Sequence, residues 1–508
     1  MLYRRILSHN ISKRYFSDIP LKNKSLWQPS SFINGQFIFS DYSDQIPVHN
    51  PATGEVIASV PNLHIEDVKK CEDACFDSFQ KWKKTTSKER CKVLNKFARL
   101  MHENIDDLAT IITLEAGKPL AESRGEIMYA AGFMEYYAEE AKRTYGDMIP
   151  APVSGRKYMT IKQPVGPAAM ITPWNFPSAM ITRKVAPALA AGCTVTVKPA
   201  EETPMSALAL CALAIEAGVP AGAMNVITVG RNRVQDLGTH FCTSDVYKKI
   251  SFTGSTNVGK WLMKESASTI KRVSLENGGN APFIIFDDAD LSVALRALLA
   301  AKFRNAGQAC IAANRIFVHE KVYDEFAEML TAKVSGFKCG NGLHEGVNMG
   351  PLINKAGLDK AVRQVEDCVS KGAKVTVGGQ PHEELNAAGG CFYLPTVLTE
   401  VTSEMSPFLE ESFSPIAPLT RFSSEEDVIQ QANDTTSGLA AYACTTNLSR
   451  AWRLAESLEA GLVGINEGAI SSEVAPFGGM KESGLGREGG RQGIEPYLET
   501  KYINMMTE

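Results

Sequence analysis

Apolar and polar residues follow two different patterns along this chain. From Ile65 to about Arg143 the apolar residues recur with helical spacing, which predicts a helical layer. Within this layer Thr86-Ser87-Lys88-Glu89 is a capping box that begins a helix, and Gly117-Lys118-Pro119 is expected to end that helix. Further upstream, the Asn34-Gly35 pair between short apolar runs predicts a β-hairpin.

Between residues 168 and 275 the pattern changes to short apolar runs bounded by Gly or Pro. They predict strands at 168–172, 194–197, 224–228, 249–252 and 272–275, separated by helices near 178–190, 204–217, 231–239 and 256–268. The second of these helices is expected to open with Thr203 as its N-cap and Pro204 as its first residue. Strands that alternate with helices indicate a parallel sheet covered on both faces, and such sheets usually bind nucleotides.

The alternation begins again after Pro282 and continues to about residue 465. A strand is expected at 283–286, a helix near 290–304 and a strand at 314–318. The sequence therefore predicts an α/β protein with two α/β domains.

The amino-acid composition limits the kinds of partner that this protein is expected to bind. The chain has 508 residues, with 53 Lys and Arg against 57 Asp and Glu, so its formal net charge is −4. No basic excess indicates nucleic-acid binding. Its longest apolar stretches, such as 207–215, fall short of the ~18 residues of a membrane helix. We therefore expect a soluble protein whose partners include neither nucleic acid nor a membrane.

The first 16 residues differ from the rest of the chain. They carry four cationic residues and no acidic one, together with apolar residues near the start: Arg4, Arg5, Lys13, Arg14, Leu2, Ile6 and Leu7. This composition is typical of a mitochondrial presequence. We expect cleavage after Phe16 and a location in the mitochondrial matrix; the alternative is a basic N-terminus without a targeting role.

Eleven cysteines occur without a Cys-x-x-Cys pair or a Cys/His cluster, so neither a disulfide framework nor a metal site is expected. Cys310 differs from the others because a predicted helix leads into it through small and polar residues. A thiolate is a good nucleophile for carbonyl substrates. Taken alone, however, Cys310 is better explained as a buried, inert side chain, which is the interpretation given to the other ten.

Two further residues could support carbonyl chemistry. Glu276 ends an apolar strand beside Gly278-Gly279, where burial can raise a carboxyl pKa and make a general base. Asn175 lies between Pro173 and Pro177, which restrict its backbone, so its amide could stabilise an oxyanion. The alternatives are a surface glutamate in a turn and an ordinary asparagine turn.

Gly254 to Lys260 resembles a phosphate-binding loop that opens a helix. It matches a Walker A motif until Trp261, which stands where Mg²⁺ binding needs a Ser or Thr hydroxyl. An NTPase is therefore disfavoured, and a nucleotide-phosphate site of unusual form is expected.

Together, seven motifs resemble the NAD(P)-dependent aldehyde dehydrogenase superfamily. They are Trp174-Asn175-Phe176-Pro177, Lys198-Pro199-Ala200-Glu201, Phe252-Thr253-Gly254-Ser255, Leu275-Glu276-x-Gly278-Gly279, Gly307-Gln308-x-Cys310, Glu411-x-Phe413 and Pro476-Phe477-Gly478-Gly479. Their order and spacing match from about residue 30 to the C-terminus. Within the superfamily, residues 181–184, 302–305 and 483–489 look most like succinate-semialdehyde dehydrogenases.

The resemblance implies a fold and a chemistry. It implies a Rossmann-type cofactor domain at 17–145 and 165–277, an α/β catalytic domain at 278–482, and a small β oligomerisation element at 146–164 and 483–508 that builds a homodimer or homotetramer. It also implies that Cys310 attacks an aldehyde to form a thiohemiacetal and then a thioester. Asn175 and the Cys310 N–H would hold the oxyanion, and Glu276 would activate the hydrolytic water.

The resemblance further implies the residues that bind the cofactor and the substrate. The cofactor would contact Trp174, Lys198, Glu201, Gly254, Ser255, Glu411 and Phe413, and the substrate carboxylate would contact Arg183, Arg304 and Ser471. NAD is favoured, with NADP as the alternative, because Glu201 would repel a 2′-phosphate. The implied reaction oxidises succinate semialdehyde to succinate in 4-aminobutyrate degradation. Alternatives are another aldehyde, such as glutarate semialdehyde, or a non-catalytic binding protein.

Three residues depart from the family pattern. Asn277 replaces a Leu after the candidate base, and Ser414 replaces a Gly after Phe413. Ala312 stands where some relatives carry a second cysteine, so a disulfide switch at that position is not expected.

Overall fold

The computed structural model describes residues 19–39 and 44–507. They form two large α/β sheets, a three-stranded antiparallel sheet and two smaller strand pairs. The expected presequence at 1–16 lies outside the described residues. Within the described ranges, no helix has both the length and the apolar character needed to cross a bilayer.

The elements before residue 278 alternate as the sequence predicts. The strands are β1 Ser31–Ile33, β2 Gln36–Ile38, β3 Gln45–His49, β4 Val56–Pro61, β5 Met148–Ile149, β6 Arg156–Pro164, β7 Ala168–Ile171, β8 Val195–Lys198, β9 Met224–Val226, β10 Lys249–Thr253 and β11 Arg272–Glu276. The helices are α1 Ile65–Trp82, α2 Ser87–Glu103, α3 Ile105–Ala116, α4 Leu120–Glu140, α5 Ala179–Ala191, α6 Pro204–Ala217, α7 Val234–Thr243 and α8 Thr256–Ser266.

The elements after residue 278 repeat the alternation. The strands are β12 Ala281–Ile285, β13 Ala313–His319, β14 Lys374–Val377, β15 Thr396–Thr399, β16 Ile416–Phe422, β17 Ser437–Gly438, β18 Ala440–Cys444, β19 Leu462–Ile465, β20 Met480–Lys481, β21 Gly484–Leu485 and β22 Leu498–Met506. The helices are α9 Leu291–Lys302, α10 Tyr323–Val334, α11 Lys355–Ser370, α12 Glu383–Ala387, α13 Ser406–Leu409, α14 Glu425–Asn433 and α15 Leu448–Ser457.

The first large sheet has the strand order β2-β1-β9-β8-β7-β10-β11-β21. Its five central strands, β9, β8, β7, β10 and β11, are parallel. The β1–β2 hairpin is antiparallel at one edge. The second large sheet has the order β14-β15-β16-β13-β12-β18-β19, and all its neighbours are parallel except β14 and β15. The predicted α/β class is confirmed, and each sheet has its own apolar core.

Local signals in the sequence correspond to local structure. Asn34 and Gly35 both have left-handed backbones, with φ of 51° and 76°, as a tight hairpin turn requires. The capping box at the start of α2 is present in both directions. The helix that it begins is shorter than expected, because Asn104 ends it and its Nδ2 donates to the Leu100 carbonyl.

Two helix ends therefore differ from the expectation. Gly117, with φ of 74°, ends the separate helix α3. Thr203 and Pro204 do begin α6, but the Thr203 side chain makes no capping hydrogen bond. Instead the buried Glu115 carboxylate accepts hydrogen bonds from the Met205 and Ser206 N–H groups, both at 2.8 Å.

The third sheet joins β5, β6 and β22, which lie within the expected oligomerisation element. It presents exposed apolar side chains, including Met148 and Tyr502. The start of the C-terminal segment lies elsewhere, since Gly484–Leu485 pairs with Leu275 and Glu276 at the edge of the first sheet. A Cβ at Gly484 would lie 2.1 Å from the Leu275 carbonyl oxygen, so only glycine permits this approach. Residues 483–485 thus border the candidate base rather than the third sheet.

Candidate active site

The candidate nucleophile and base come from different parts of the chain and lie close enough for the charge of one to act on the other. Glu276 is the last residue of β11, and Cys310 lies in the loop between α9 and β13. A Cβ at Gly279 would lie 2.6 Å from the Cys310 carbonyl oxygen, so the loop after Glu276 packs directly against the cysteine backbone. The charge of Glu276 raises the pKa of the Cys310 thiol.

The loop before Cys310 is held in a strained shape. Asn305 and Ala306 adopt left-handed backbones with φ of 52° and 53°, and Gly307 follows at 75°. The Gln308 side chain fixes this loop, since its Nε2 donates to the Asn305 and Pro351 carbonyls and its Oε1 accepts from the Ile353 N–H. The thiol that follows therefore has a defined position.

Burial raises the pKa of the Cys310 thiol to about 12, although the charge of Arg183 acts in the opposite direction. The resting thiol is therefore protonated at neutral pH and must lose its proton to act as a nucleophile. All eleven cysteines are unpaired in the described residues, and Cys310 is one of three that are partly exposed.

Asn175 is held in an orientation that suits an oxyanion donor. Its Oδ1 accepts from the Phe176 N–H at 3.1 Å, and its Nδ2 donates to the Gln308 carbonyl at 3.1 Å. These two contacts fix the amide and leave the second Nδ2 hydrogen for a further acceptor. The structure thus links the Asn175 loop directly to the loop of Cys310.

Glu276 is buried, and neither of its carboxylate oxygens has a hydrogen-bond partner. Burial raises its pKa well above the usual value, and the neighbouring charge of Glu488 raises it further. A carboxyl group with a raised pKa holds a proton more firmly than an ordinary carboxyl group, which suits a general base.

The cofactor residues predicted in the first sheet lie at the carboxyl ends of its parallel strands. Lys198 ends β8, and its Nζ lies 3.1 Å from the Glu201 carboxylate. Gly254 and Ser255 follow β10 at the start of α8, where no side chain caps the helix N–H groups. Ligands of open α/β sheets bind at this edge, and helix N–H groups favour phosphate.

Of the remaining cofactor residues, Trp174 follows β7 of the first sheet, whereas Glu411 and Phe413 precede β16 of the second sheet. The Glu411 Oε1 accepts from the Gly279 N–H at 3.1 Å, and burial raises the pKa of Glu411 to about 7. Phe413 has a left-handed backbone, with φ of 54°, and its ring meets that of Trp174 edge to face at 5.5 Å. Carboxylates, free helix N–H groups and aromatic faces fit a dinucleotide. By contrast, the described ranges contain no cluster of three or more His, Cys, Asp or Glu suited to a metal ion.

Comparison with known proteins agrees with this geometry. The model of the aldehyde dehydrogenase family matches residues 38–503. The chain belongs to the aldehyde dehydrogenase family. A crystal structure of an aldehyde dehydrogenase from Brucella melitensis biovar abortus 2308 is 53% identical with a TM-score of 0.93, covering 96% of this chain and 99% of that one.

Curated relatives within the aldehyde dehydrogenase family are about equally similar. A succinate-semialdehyde dehydrogenase [NADP(+)] of Escherichia coli K12 is 51% identical, covering 95% of this chain and 99% of the relative. A mitochondrial succinate-semialdehyde dehydrogenase of Arabidopsis thaliana is 51% identical, covering 95% of this chain and 90% of the relative. A glutarate-semialdehyde dehydrogenase of Pseudomonas putida KT2440 is 51% identical over 95% and 99%. The family uses NAD(P), in agreement with the expected cofactor.

The two arginines expected to hold a substrate carboxylate have different surroundings in this aldehyde dehydrogenase. Arg183 is 1% exposed, and its Nε lies 2.6 Å from the Glu488 carboxylate. Lys184 pairs with the same carboxylate. Arg183 therefore shares one buried carboxylate with Lys184, and its role in binding the substrate carboxylate stays a prediction.

Arg304 has no carboxylate within 4 Å in the described part of the chain, and its buried Nε has no hydrogen-bond partner. Its guanidinium lies 5.2 Å from the centre of the Phe176 ring. Ser471 is partly exposed in the loop after β19, and no hydrogen bond within residues 19–39 and 44–507 joins it to either arginine. The structure therefore brings Arg304 to the pocket without showing a direct link to Ser471.

Sequence reasoning missed three groups at this site. Glu488 neighbours Glu276, and its own pKa is lowered because Lys184 and Arg183 outweigh the effect of burial. Tyr129, on α4, has a buried hydroxyl without an acceptor, and Arg183, by charge and a side-chain hydrogen bond, and Arg304, by charge, lower its pKa against the larger effect of burial. Lys118 donates to the Asn175 carbonyl. Only Glu488 lay in a motif noted for family resemblance, and that motif gave it no role.

The three departures from the family pattern all lie close to the site. Asn277 donates from Nδ2 to the Glu482 carbonyl at 2.9 Å, and its Oδ1 would lie 2.3 Å from a Cβ at Gly259. Ser414 is buried, and its carbonyl oxygen would lie 2.2 Å from a Cβ at Gly307. Ala312 is buried beside the candidate nucleophile's loop. None of the three removes a candidate reacting group.

Proposed function

We propose that this aldehyde dehydrogenase oxidises succinate semialdehyde to succinate with NAD(P), as a step of 4-aminobutyrate degradation. The observation that carries the substrate is the pair of buried donors without acceptors, Arg304 Nε and the Tyr129 hydroxyl. Both groups lie near the nucleophile, because the charge of Arg304 lowers the pKa of Cys310 and the charge of Cys310 raises the pKa of Tyr129. A carboxylate at the far end of a short aldehyde would supply the missing acceptor.

In this proposal the Cys310 thiol gives its proton to a water molecule and its sulfur attacks the aldehyde carbon, which gives a thiohemiacetal. The oxyanion that forms in the attack is held by the second Nδ2 hydrogen of Asn175 and by the Cys310 N–H. Loss of a hydride from this carbon leaves a thioester, and NAD(P) held by the cofactor residues would supply the hydride acceptor. The Glu276 carboxylate then accepts a proton from the water that attacks the thioester, which releases succinate and restores the thiol.

The cofactor residues of the proposal are Trp174, Lys198, Glu201, Gly254, Ser255, Glu411 and Phe413. We propose a preference for NAD, because the Glu201 carboxylate can accept from a ribose 2′-hydroxyl and would repel a 2′-phosphate. The ion pair with Lys198 reduces this repulsion, so NADP is the weaker cofactor rather than an excluded one.

A second candidate substrate is glutarate semialdehyde, which has the same end groups and one more carbon. It is favoured by the Pseudomonas putida relative, whose identity equals that of the succinate-semialdehyde dehydrogenases. A non-catalytic binding protein is the third alternative, and the joint presence of Cys310, Glu276 and Asn175 argues against it.

We also propose the location and the assembly. Residues 1–16 have the composition of a presequence, and the Arabidopsis relative is named as mitochondrial, which together support the mitochondrial matrix. The exposed apolar residues of the third sheet support a homodimer or homotetramer built through β5, β6 and β22. The remaining residues would divide into the cofactor domain, with β21 at its edge, and the catalytic domain.

A steady-state comparison tests the proposal. Initial rates of NADH or NADPH formation are measured with succinate semialdehyde, glutarate semialdehyde and butanal, which has four carbons and no charge. We expect the highest kcat/KM for succinate semialdehyde with NAD, and no product with the Cys310→Ala variant. Equal kcat/KM values for butanal and succinate semialdehyde would contradict the proposed substrate, and a higher value with NADP would contradict the proposed cofactor preference.

A further inference from the structure

Lys118 and Glu126 form an ion pair that is buried in the helical layer. Their side chains are 1% and 0% exposed. Lys118 lies in the turn between α3 and α4, and Glu126 lies near the start of α4. Removing two charges from water costs several kcal/mol per ion unless further hydrogen bonds satisfy them. The additional partners of this pair therefore show what it stabilises.

Both charges hold the backbone around Asn175. Lys118 Nζ donates to the Asn175 carbonyl at 2.8 Å and lies 3.9 Å from the centre of the Phe176 ring. Glu126 Oε1 accepts from the Ser178 N–H at 2.9 Å and from the Ala179 N–H at 3.3 Å, where α5 begins. The short loop that carries the Asn175 amide is therefore held on both sides of Pro177.

The same region also contacts the loop of Cys310. Asn305 Nδ2 donates to the Asn175 carbonyl at 3.0 Å, so this oxygen is shared by Lys118 and Asn305. The Asn305 N–H donates to the Glu122 carboxylate at 2.8 Å. Because Asn305 lies in the strained segment before Cys310, a shift of the Asn175 carbonyl would alter the distance between the Asn175 amide and the sulfur.

We propose that Lys118, paired with Glu126, is a positioning residue that holds the Asn175 amide in the geometry needed to stabilise the oxyanion. The inference rests on the oxyanion role proposed for Asn175. Neither charge reacts with the substrate; both act through the backbone of the Asn175 loop. A charge-assisted hydrogen bond fixes that backbone more firmly than a neutral one.

A double-mutant cycle tests this role. The variants are Lys118→Met, Asn175→Ala and the combination of both, and the readout is the rate of the first NADH turnover with saturating NAD and succinate semialdehyde. We expect Lys118→Met to slow this step by ~10–100-fold and Asn175→Ala to slow it by ~100–1,000-fold. If Lys118 acts through Asn175, the double variant should match Asn175→Ala within about threefold.

Two further variants keep the test decisive. If Lys118→Met does not fold, Lys118→Met/Glu126→Gln replaces it in the cycle, because it leaves no unpaired buried charge. Arg124→Met is the matched control, since Arg124 lies on α4 with Glu126 and forms an ion pair with Asp106 whose side chains are 46% and 49% exposed. We expect this control to keep the wild-type rate.

The outcomes separate the two proposals. If Asn175→Ala leaves the first turnover unchanged, the oxyanion role of Asn175 and the positioning role both fail. If Asn175→Ala slows it but the effect of Lys118→Met multiplies with that of Asn175→Ala, only the positioning role fails. An unchanged rate in both the Lys118→Met and the charge-neutral variants would also overturn it.

Discussion

Two sets of buried polar residues around the candidate site differ in how completely their groups are paired. In the frame, made of Lys118, Glu126, Asn305 and Gln308, every side chain makes at least two polar contacts. In the reaction pocket, Glu276, Arg304 and Tyr129 each have a buried polar atom without a partner. Unpaired buried groups are costly and rare in folded proteins. The difference indicates that the frame is complete within the protein, whereas the pocket is completed by substrate and water.

The largest effect on turnover is expected from replacing the general base, Glu276. In Glu276→Gln the amide is unable to accept a proton from water, so steady-state turnover should fall by ~100–10,000-fold. The first turnover of NADH should survive, because hydride transfer precedes hydrolysis. Stopped-flow measurement of the burst and the steady state separates the two steps; a burst that disappears along with turnover would contradict the assignment of Glu276 to hydrolysis.

The pH dependence follows from the raised pKa of the same residue. A general base acts in its deprotonated form, and a pKa well above the usual value means that this form becomes abundant at a higher pH than for an ordinary carboxyl group. We therefore expect the steady-state rate to increase by up to roughly tenfold per pH unit below that pKa. Rates measured from pH 6 to 9 check this, and the dependence should flatten in Glu276→Gln. A wild-type rate that falls over this range would be inconsistent with the environment of Glu276.

A smaller, substrate-selective effect is expected at Tyr129. In Tyr129→Phe the ring stays and only the unpaired hydroxyl is lost, so KM for succinate semialdehyde should rise by roughly tenfold while KM for butanal stays the same. The matched control is Tyr145→Phe, because Tyr145 is 71% exposed and lies outside the pocket. If both KM values change equally, the hydroxyl acts on packing rather than on the carboxylate.

The smallest effect is expected in the structural capping of α6. Glu115→Ala removes the acceptor of two helix N–H groups, so the free energy of unfolding should fall by about 1–3 kcal/mol while kcat/KM changes little. Denaturant unfolding measures the change, with Glu103→Ala as a control because that side chain is 56% exposed. An unchanged midpoint would show that the two N–H groups find other acceptors.

The same contrast explains what the sequence could predict. The hairpin at Asn34-Gly35, the capping box at Thr86 and the strand–helix alternation depend on residues close together in the chain, and they appear where expected. The partners of Lys118 and Arg183 depend on the tertiary fold. Lys118 lies 57 positions from Asn175, and the sequence indicated only that its motif ends a helix.

Arg183 shows that the type of a residue and its distance along the chain do not reveal which side chains it contacts in the fold. Its position eight residues after Asn175 led to the predicted substrate clamp but gave no sign of Glu488, which the segment after β21 brings against it. Arg304, chosen by the same reasoning, has no such partner. The difference between the two arginines was not contained in any local pattern.

The most direct test of the account is the substrate selectivity of Arg304→Ala. The measurement is kcat/KM for succinate semialdehyde and for butanal in the wild type and in the variant, under identical concentrations of NAD. If Arg304 is the unpaired donor that binds the substrate carboxylate, the variant should lose on the order of 100-fold in kcat/KM for succinate semialdehyde and little for butanal. An equal loss for the two aldehydes would contradict the account.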